Sequence, residues 1–262
     1  MSIWFRQHRS PRRANLRLFC FPYAGGNAGV FDGWETALPD GVEMFAVQAP
    51  GRANRFCEPP IADLACMVDA LRAEIAPFLD LPCVFFGHSN GALTAFALAR
   101  ALQLSDVRAV QHLIVSAKRA PHLMRDSRML HTLADDALIA ELRSLAATPA
   151  VLLDNPDAME LFLPMLRADF ALAERGDLGL QPQVRARCTL FHGRSDTIEV
   201  EELLAWREYI DGQVVLQQFD GGHFFIDQRR DEVLMAVAGV LEQELQRLTL
   251  MSTARTLSEV AA

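Results

Sequence analysis

The sequence is nearly without lysine: Lys118 stands alone against 24 arginines. Positive charge is also scarce beyond the first residues. Residues 1–17 hold five arginines (Arg6, Arg9, Arg12, Arg13, Arg17) and no acid, so a formal net charge of −8 leaves the remainder at −13. An acidic body with a short basic arm argues against nucleic acid as the main partner. No apolar run approaches the ~18 residues of a transmembrane helix, so no membrane span is expected. Arg12-Arg13 superficially look like the start of an export signal, but the apolar run 18–21 stops at Pro22, short of the ~7–15 residues such a signal needs. The five cysteines (Cys20, Cys57, Cys66, Cys83, Cys188) are odd in number, with no C-x-x-C pair and no histidine at zinc-ligand spacing. They read as reduced thiols of a cytosolic protein, with no metal site. Without staples the fold must rest on its core. A chain of 262 residues, 51% of them hydrophobic, has enough length for that, since it can bury roughly 70–75% of its unfolded surface.

What the sequence does have is a series of short apolar runs that end at Gly, Pro or polar clusters. They are Leu16–Phe21, Val42–Val47, 83–86, Val110–Ser116, 188–191 and Val214–Phe219. Such runs, without alternation, suit parallel strands buried on both faces. Between them lie helical patterns at 61–79, 92–102, 199–209 and 230–248. Strands alternating with helices imply an α/β sheet with crossover helices. The alternation breaks between about 124 and 180, where helices are expected at 131–146 and 158–173 and no strand is. An insertion of this kind reads as a lid over a site. The chain is therefore expected to be one domain, 1–262, with a basic arm at 1–15, a helical insertion at about 124–180 and a frayed tail at 249–262.

The strongest chemical signal is Gly87-His88-Ser89-Asn90-Gly91. It follows the apolar run 83–86 and opens the helix 92–102, the strand–turn–helix setting that a nucleophile elbow requires. A serine hydroxyl needs a base, and the base needs a carboxylate to fix its tautomer. In this arrangement the order along the chain is serine, acid, histidine. Of seven histidines, His223 is the candidate base, because it follows the last strand and Gly221-Gly222. The acid is expected on the loop after the run 188–191, which makes Asp196 the first candidate and Asp220 its rival. The backbone N–H of Asn90 is one expected oxyanion donor. The other is expected from the turn Pro22-Tyr23-Ala24-Gly25-Gly26, with Ala24 the first choice and Tyr23 the second.

Together with Phe21-Pro22-Tyr23-Ala24-Gly25-Gly26, Gln48-Ala49-Pro50-Gly51-Arg52, Phe85-Phe86-Gly87-His88-Ser89, Arg119-Ala120-Pro121, Leu163-Pro164-Met165-Leu166-Arg167-Ala168-Asp169 and Gly221-Gly222-His223-Phe224-Phe225, these residues carry a resemblance. The sequence resembles the type II thioesterases that accompany polyketide and nonribosomal peptide synthases, from about Leu18 to Phe225. The resemblance implies an α/β-hydrolase fold, a mostly parallel sheet flanked by helices with a helical lid insertion. It also implies a stand-alone hydrolase that removes misloaded or stalled acyl groups from the phosphopantetheine arm of carrier proteins. Ser89, Asp196 and His223 stand at the positions of that family's triad. No cofactor of its own is implied, since phosphopantetheine arrives on the acyl- or peptidyl-carrier protein partner. A monomer is expected.

Two positions depart from the family pattern. Asn90 stands where methionine is usual, and Ala146-Ala147-Thr148-Pro149 where Gly-Gly-Thr-Pro is usual. The first puts an amide near the acyl pocket, and the second removes hinge glycines. Arg125, Arg128 and the N-terminal arm are candidates for docking an acidic carrier protein. Two other readings of the triad remain at this stage: a small-molecule serine esterase or lipase of the same fold, and a catalytically inactive hydrolase-fold binding protein.

Overall fold

Six of the apolar runs become strands of one sheet because helices cover both of its faces. The computed structural model describes residues 2–124, 129–144, 150–176 and 178–260. The strands are β1 (Phe5–Arg9), β2 (Leu16–Phe21), β3 (Val42–Val47), β4 (Cys83–His88), β5 (Val110–Ser116), β6 (Arg187–Gly193) and β7 (Val214–Phe219). Their order is β1-β3-β2-β4-β5-β6-β7. Every neighbouring pair is parallel except β1 with β3.

Side chains leave each strand on alternate faces, so one run feeds two cores. Phe19, Phe21, Phe85 and Leu113 pack with Met67 and Leu71 of α1 (Leu64–Ile75) and Phe96 of α2 (Asn90–Leu104). Leu18, Cys20, Val84, Phe86 and Ile114 face the opposite way, against Trp34 and the residues Val233, Val237 and Leu241. The helix patterns are trimmed by local chemistry. Asp63 caps α1 by accepting the Cys66 N–H at 2.8 Å, and Pro77 lies in the short 3-10 turn that follows the helix. These features confine the expected helix at 61–79 to Leu64–Ile75.

Among the described residues, three α-helices occupy the stretch between β5 and β6: α3 (Asp135–Ser144), α4 (Ala150–Leu153) and α5 (Pro156–Arg175). They carry a small core of their own, made by Leu138, Leu142, Leu153, Met159, Leu163, Met165 and Leu166. Asn155 and Pro156 start α5, the asparagine accepting the Ala158 N–H at 3.1 Å. The Ala146-Ala147-Thr148-Pro149 segment and the candidate docking residues Arg125 and Arg128 lie outside the described residues. After β6 come α6 (Val200–Leu204), continued by a 3-10 turn over Ala205–Glu208, then α7 (Phe225–Gln228) and α8 (Arg230–Val260).

Two expectations need correction. The N-terminal segment is not a free arm, because β1 pairs antiparallel with β3 and buries Trp4 and Phe5. Its arginines are used to hold it there. Arg6 pairs with Asp32 at 2.8 Å, Arg9 donates to the Glu35 carbonyl at 3.1 Å, and Arg17 pairs with Glu43 at 2.6 Å. Of the five arginines in residues 1–17, Arg6, Arg9 and Arg17 thus have internal partners. The tail, in turn, does not fray at Thr249, because α8 continues to Val260. Among the described residues no helix is long and apolar enough to cross a membrane.

Candidate active site

Ser89 sits between the end of β4 and the start of α2 with φ +53° and ψ −119°, a strained conformation for a residue with a side chain. The surroundings hold it there. Its N–H donates to the Ser116 carbonyl at 2.8 Å. The turn is so tight that a Cβ on Gly91 would lie 2.0 Å from the Phe21 carbonyl oxygen, and one on Gly87 2.4 Å from that of Gly91. The two flanking glycines are therefore steric requirements. The serine caps a 15-residue helix, whose N-terminal end favours developing negative charge.

The loops after β6 and β7 bring the other groups in. The Arg194 N–H donates to Phe219 O and the Ser195 N–H to Gly221 O, both at 2.9 Å, which stitches the two loops together. Asp196 and His223 meet across this seam. His223 Nδ1 lies 2.9 Å from Asp196 Oδ2, and His223 Nε2 lies 3.1 Å from Ser89 Oγ. Burial pushes the Asp196 carboxyl up, but the His223 hydrogen bond and charge, with the Ile198 and Thr197 N–H groups, hold it below the usual carboxylate range. The rival acid is accounted for differently: Asp220 pairs with Arg194 at 2.6 Å. His88 is wholly buried, with Nδ1 2.8 Å from Ser116 Oγ. Burial and then the nearby His223 pull its pKa down to about 3, so it stays neutral.

A cavity of about 560 Å³ opens over Ser89. Tyr23, Ala24 and Asn90 line it from the sheet side, and Leu142, Leu166 and Phe170 from the inserted helices. Both expected sources of the second oxyanion donor, Ala24 and Tyr23, are thus beside the serine, on the same wall as Asn90.

Sequence reasoning did not single out the buried ion pair behind this wall. Arg52 grips Asp169 with two bonds, at 2.7 and 2.9 Å. Asp169 Oδ2 also accepts the Gly25 N–H at 2.7 Å, and its backbone carbonyl accepts Asn90 Nδ2 at 2.9 Å. One aspartate on α5 therefore ties together the glycine-rich turn, the elbow helix and the loop after β3. Both residues end motifs already visible in the sequence, but their separation of 117 residues hid the contact. Lys118 and Glu174 of the cavity wall were missed as well, although the uniqueness of the lysine was a signal.

The fold and this site define an α/β hydrolase with a serine at its elbow. More narrowly, the chain belongs to the thioesterase family, whose domain model matches residues 16–241. It is 37% identical over 233 residues to the gramicidin S biosynthesis protein GrsT of Aneurinibacillus migulanus, covering 88% of this chain and 91% of that protein. Among solved structures it is similar to the type II thioesterase BorB from the borrelidin biosynthetic cluster, with a TM-score of 0.83, 33% identity and coverage of 92% of this chain and 98% of that one. The RedJ thioesterase from the prodiginine pathway of Streptomyces coelicolor gives a TM-score of 0.82 at 35% identity, over 88% and 94% of the two chains. The chain is a thioester hydrolase, which sets aside the general esterase and the inactive scaffold.

Proposed function

We propose that this enzyme is a stand-alone, type II thioesterase that hydrolyses acyl groups from the phosphopantetheine arm of acyl- or peptidyl-carrier proteins, clearing misloaded or stalled chains. The observation that carries the reading is His223 hydrogen-bonded to both Ser89 and Asp196 beneath a helix-walled cavity. The similarity to GrsT, BorB and RedJ supports the biosynthetic setting. The five cysteines, all free, fit a cytosolic location. The triad and the cavity come from one chain, which fits a monomer.

In this reading Ser89 Oγ attacks the thioester carbonyl as His223 Nε2 takes its proton. The new C–O bond gives a tetrahedral oxyanion held by the Asn90 and Ala24 N–H groups. Asp196 stabilises the imidazolium through Nδ1. The C–S bond then breaks, His223 returns the proton to the leaving sulfur, and an acyl-serine remains. His223 next deprotonates a water molecule, which attacks the acyl-serine carbonyl; the C–Oγ bond then breaks, His223 returns the proton to Ser89 Oγ, and the free acid leaves. The steps draw only on side chains, backbone N–H groups and water. Phosphopantetheine belongs to the partner.

The test compares turnover of acyl-carrier proteins, acyl-CoA and simple oxygen esters. Carrier-bound thioesters are expected to react fastest, and Ser89→Ala to abolish hydrolysis with the circular dichroism spectrum unchanged. Full activity in Ser89→Ala, or a strong preference for oxygen esters, would sink the proposal.

A further inference from the structure

The cavity over Ser89 contains a cation that thioester hydrolysis does not use. Lys118, the only lysine of the chain, lies two residues beyond β5 and is 5% exposed. Its backbone is fixed, because the Lys118 carbonyl accepts Trp206 Nε1 at 2.7 Å. Its ammonium donates to Asn90 Oδ1 at 3.1 Å. Asn90 is in turn held through Nδ2 on the Asp169 carbonyl, so the amide is oriented to accept from the lysine. The cation is thereby anchored to the residue next to the nucleophile.

That anchor leaves the ammonium incompletely satisfied. It has three N–H donors, and Asn90 takes one. Among the described residues no carboxylate oxygen makes an ion pair with it. The charged groups around it are otherwise engaged. Arg119 pairs with Glu202 at 3.3 Å. Glu174 accepts from the backbone N–H groups of Leu130 and His131 and lies 2.5 Å from the His131 ring nitrogen. Glu141 on the wall has an interaction of its own, and Asp196 belongs to His223. Burial, and then Arg119, pull the lysine down to about 8, which leaves it mostly protonated at neutral pH. A buried cation with spare donors gains from an acceptor brought in by a ligand. The rest of the wall, including Leu142, Leu166, Phe170 and Phe224, suits methylene groups.

Resting on the thioesterase reading, we propose that Lys118 is the specificity-determining residue of the acyl cavity. It selects acyl chains that carry a hydrogen-bond-accepting oxygen, as a hydroxyl, keto or carboxylate group, over plain alkyl chains. Because its anchor is adjacent to Ser89, the favoured oxygen lies close to the thioester carbon rather than at the far end of a long chain.

The experiment uses four-carbon acyl groups as N-acetylcysteamine thioesters: butyryl, 3-hydroxybutyryl, 3-oxobutyryl and succinyl. The wild-type enzyme is expected to show kcat/KM at least ~10-fold higher for one or more of the oxygenated chains than for butyryl, the size of one hydrogen bond to a charged group. The hydroxy, keto and succinyl arms separate a neutral from an anionic partner, and preference for any of them supports the proposal. Lys118→Met is expected to bring the ratio close to one, whereas Lys118→Arg keeps a preference. Asn90→Leu, which releases the ammonium from its anchor, is expected to blunt the ratio, and it decides the matter if Lys118→Met does not fold. Equal kcat/KM for all four in the wild type, or an unchanged ratio in Lys118→Met or in Asn90→Leu, overturns the inference and leaves the thioesterase reading intact. No turnover of any thioester by the wild type overturns both.

Discussion

At the scale of single residues, the site depends on a few contacts that tolerate little change. Asp196 faces His223 Nδ1, and an asparagine there presents an N–H donor or a weaker acceptor and favours the wrong imidazole tautomer. Asp196→Asn should lower kcat by about 10³–10⁴-fold while leaving thermal stability near wild type, as steady-state kinetics and a melting curve would show. The glycines of the elbow fail differently. Gly91→Ala places a methyl 2.0 Å from a backbone oxygen that cannot move aside. We expect loss of folded protein rather than a slow enzyme, read as insoluble expression or a lost cooperative transition. Ser89, His223 and Asp196 were legible in the sequence because strand ends and glycine turns locate them in chain order. The choice between Asp196 and Asp220 was less so, since both are loop acids after a strand. The structure separates them by their partners, a histidine for one and Arg194 for the other.

At the scale of elements, α5 joins the inserted helices to the body. Met159, Leu163 and Leu166 belong to the small core of the insertion, whereas Leu172 and Ala173 belong to the core beneath the sheet. Asp169 lies between the two groups and is pinned by Arg52. Removing one member of a buried pair typically costs about 3–5 kcal/mol. Arg52→Leu should therefore destabilise the protein by that order in urea unfolding. It should also lower kcat/KM, because Asp169, which accepts the Gly25 N–H, loses the guanidinium that holds it, and the turn carrying Ala24 loses the Arg52 bond to the Gly26 carbonyl. The parallel strands were legible as apolar runs, because burial on both faces leaves no alternation to misread. Strand β1 was not. Its sequence FRQHR is mostly polar, and it forms only because β3 offers an edge and its arginines find acceptors nearby. The end of α8 was hidden for a related reason: Leu250 and Met251 are exposed, so no apolar stripe marks the last turns.

At the scale of the molecule, a second buried polar cluster lies away from the site and ties α8 to the sheet. Glu244 lies 2.7 Å from the ring of His112 on β5, contacts Arg187 on β6 and pairs with Arg247 at 3.1 Å. Burial pushes Glu244 up, but His112 and Arg187 outweigh it and bring it down to about 2. Because the folded pKa is depressed, this stabilisation is fully present above the unfolded value near 4.5 and is lost as pH falls towards 2. Glu244→Leu should lower stability at pH 7 by roughly 3–5 kcal/mol and should flatten its dependence on pH between about 4.5 and 2, measured by denaturant melts across that range. The α/β architecture with helices inserted between β5 and β6 was legible, because the break in alternation there is long. How the insertion is attached was not, since Arg52 and Asp169 meet only in three dimensions. That attachment constrains movement. Twenty residues of α5 span about 30 Å, and the C-terminal half is rooted in the body while Pro164, which has no N–H to give the helix ladder, lies in the N-terminal half. Any widening of the cavity mouth that spares the ion pair must pivot upstream of Asp169. The entrance would then behave like a door hung on the middle of one helix, with α3 and α4 as the swinging panel and the oxyanion turn on the fixed frame.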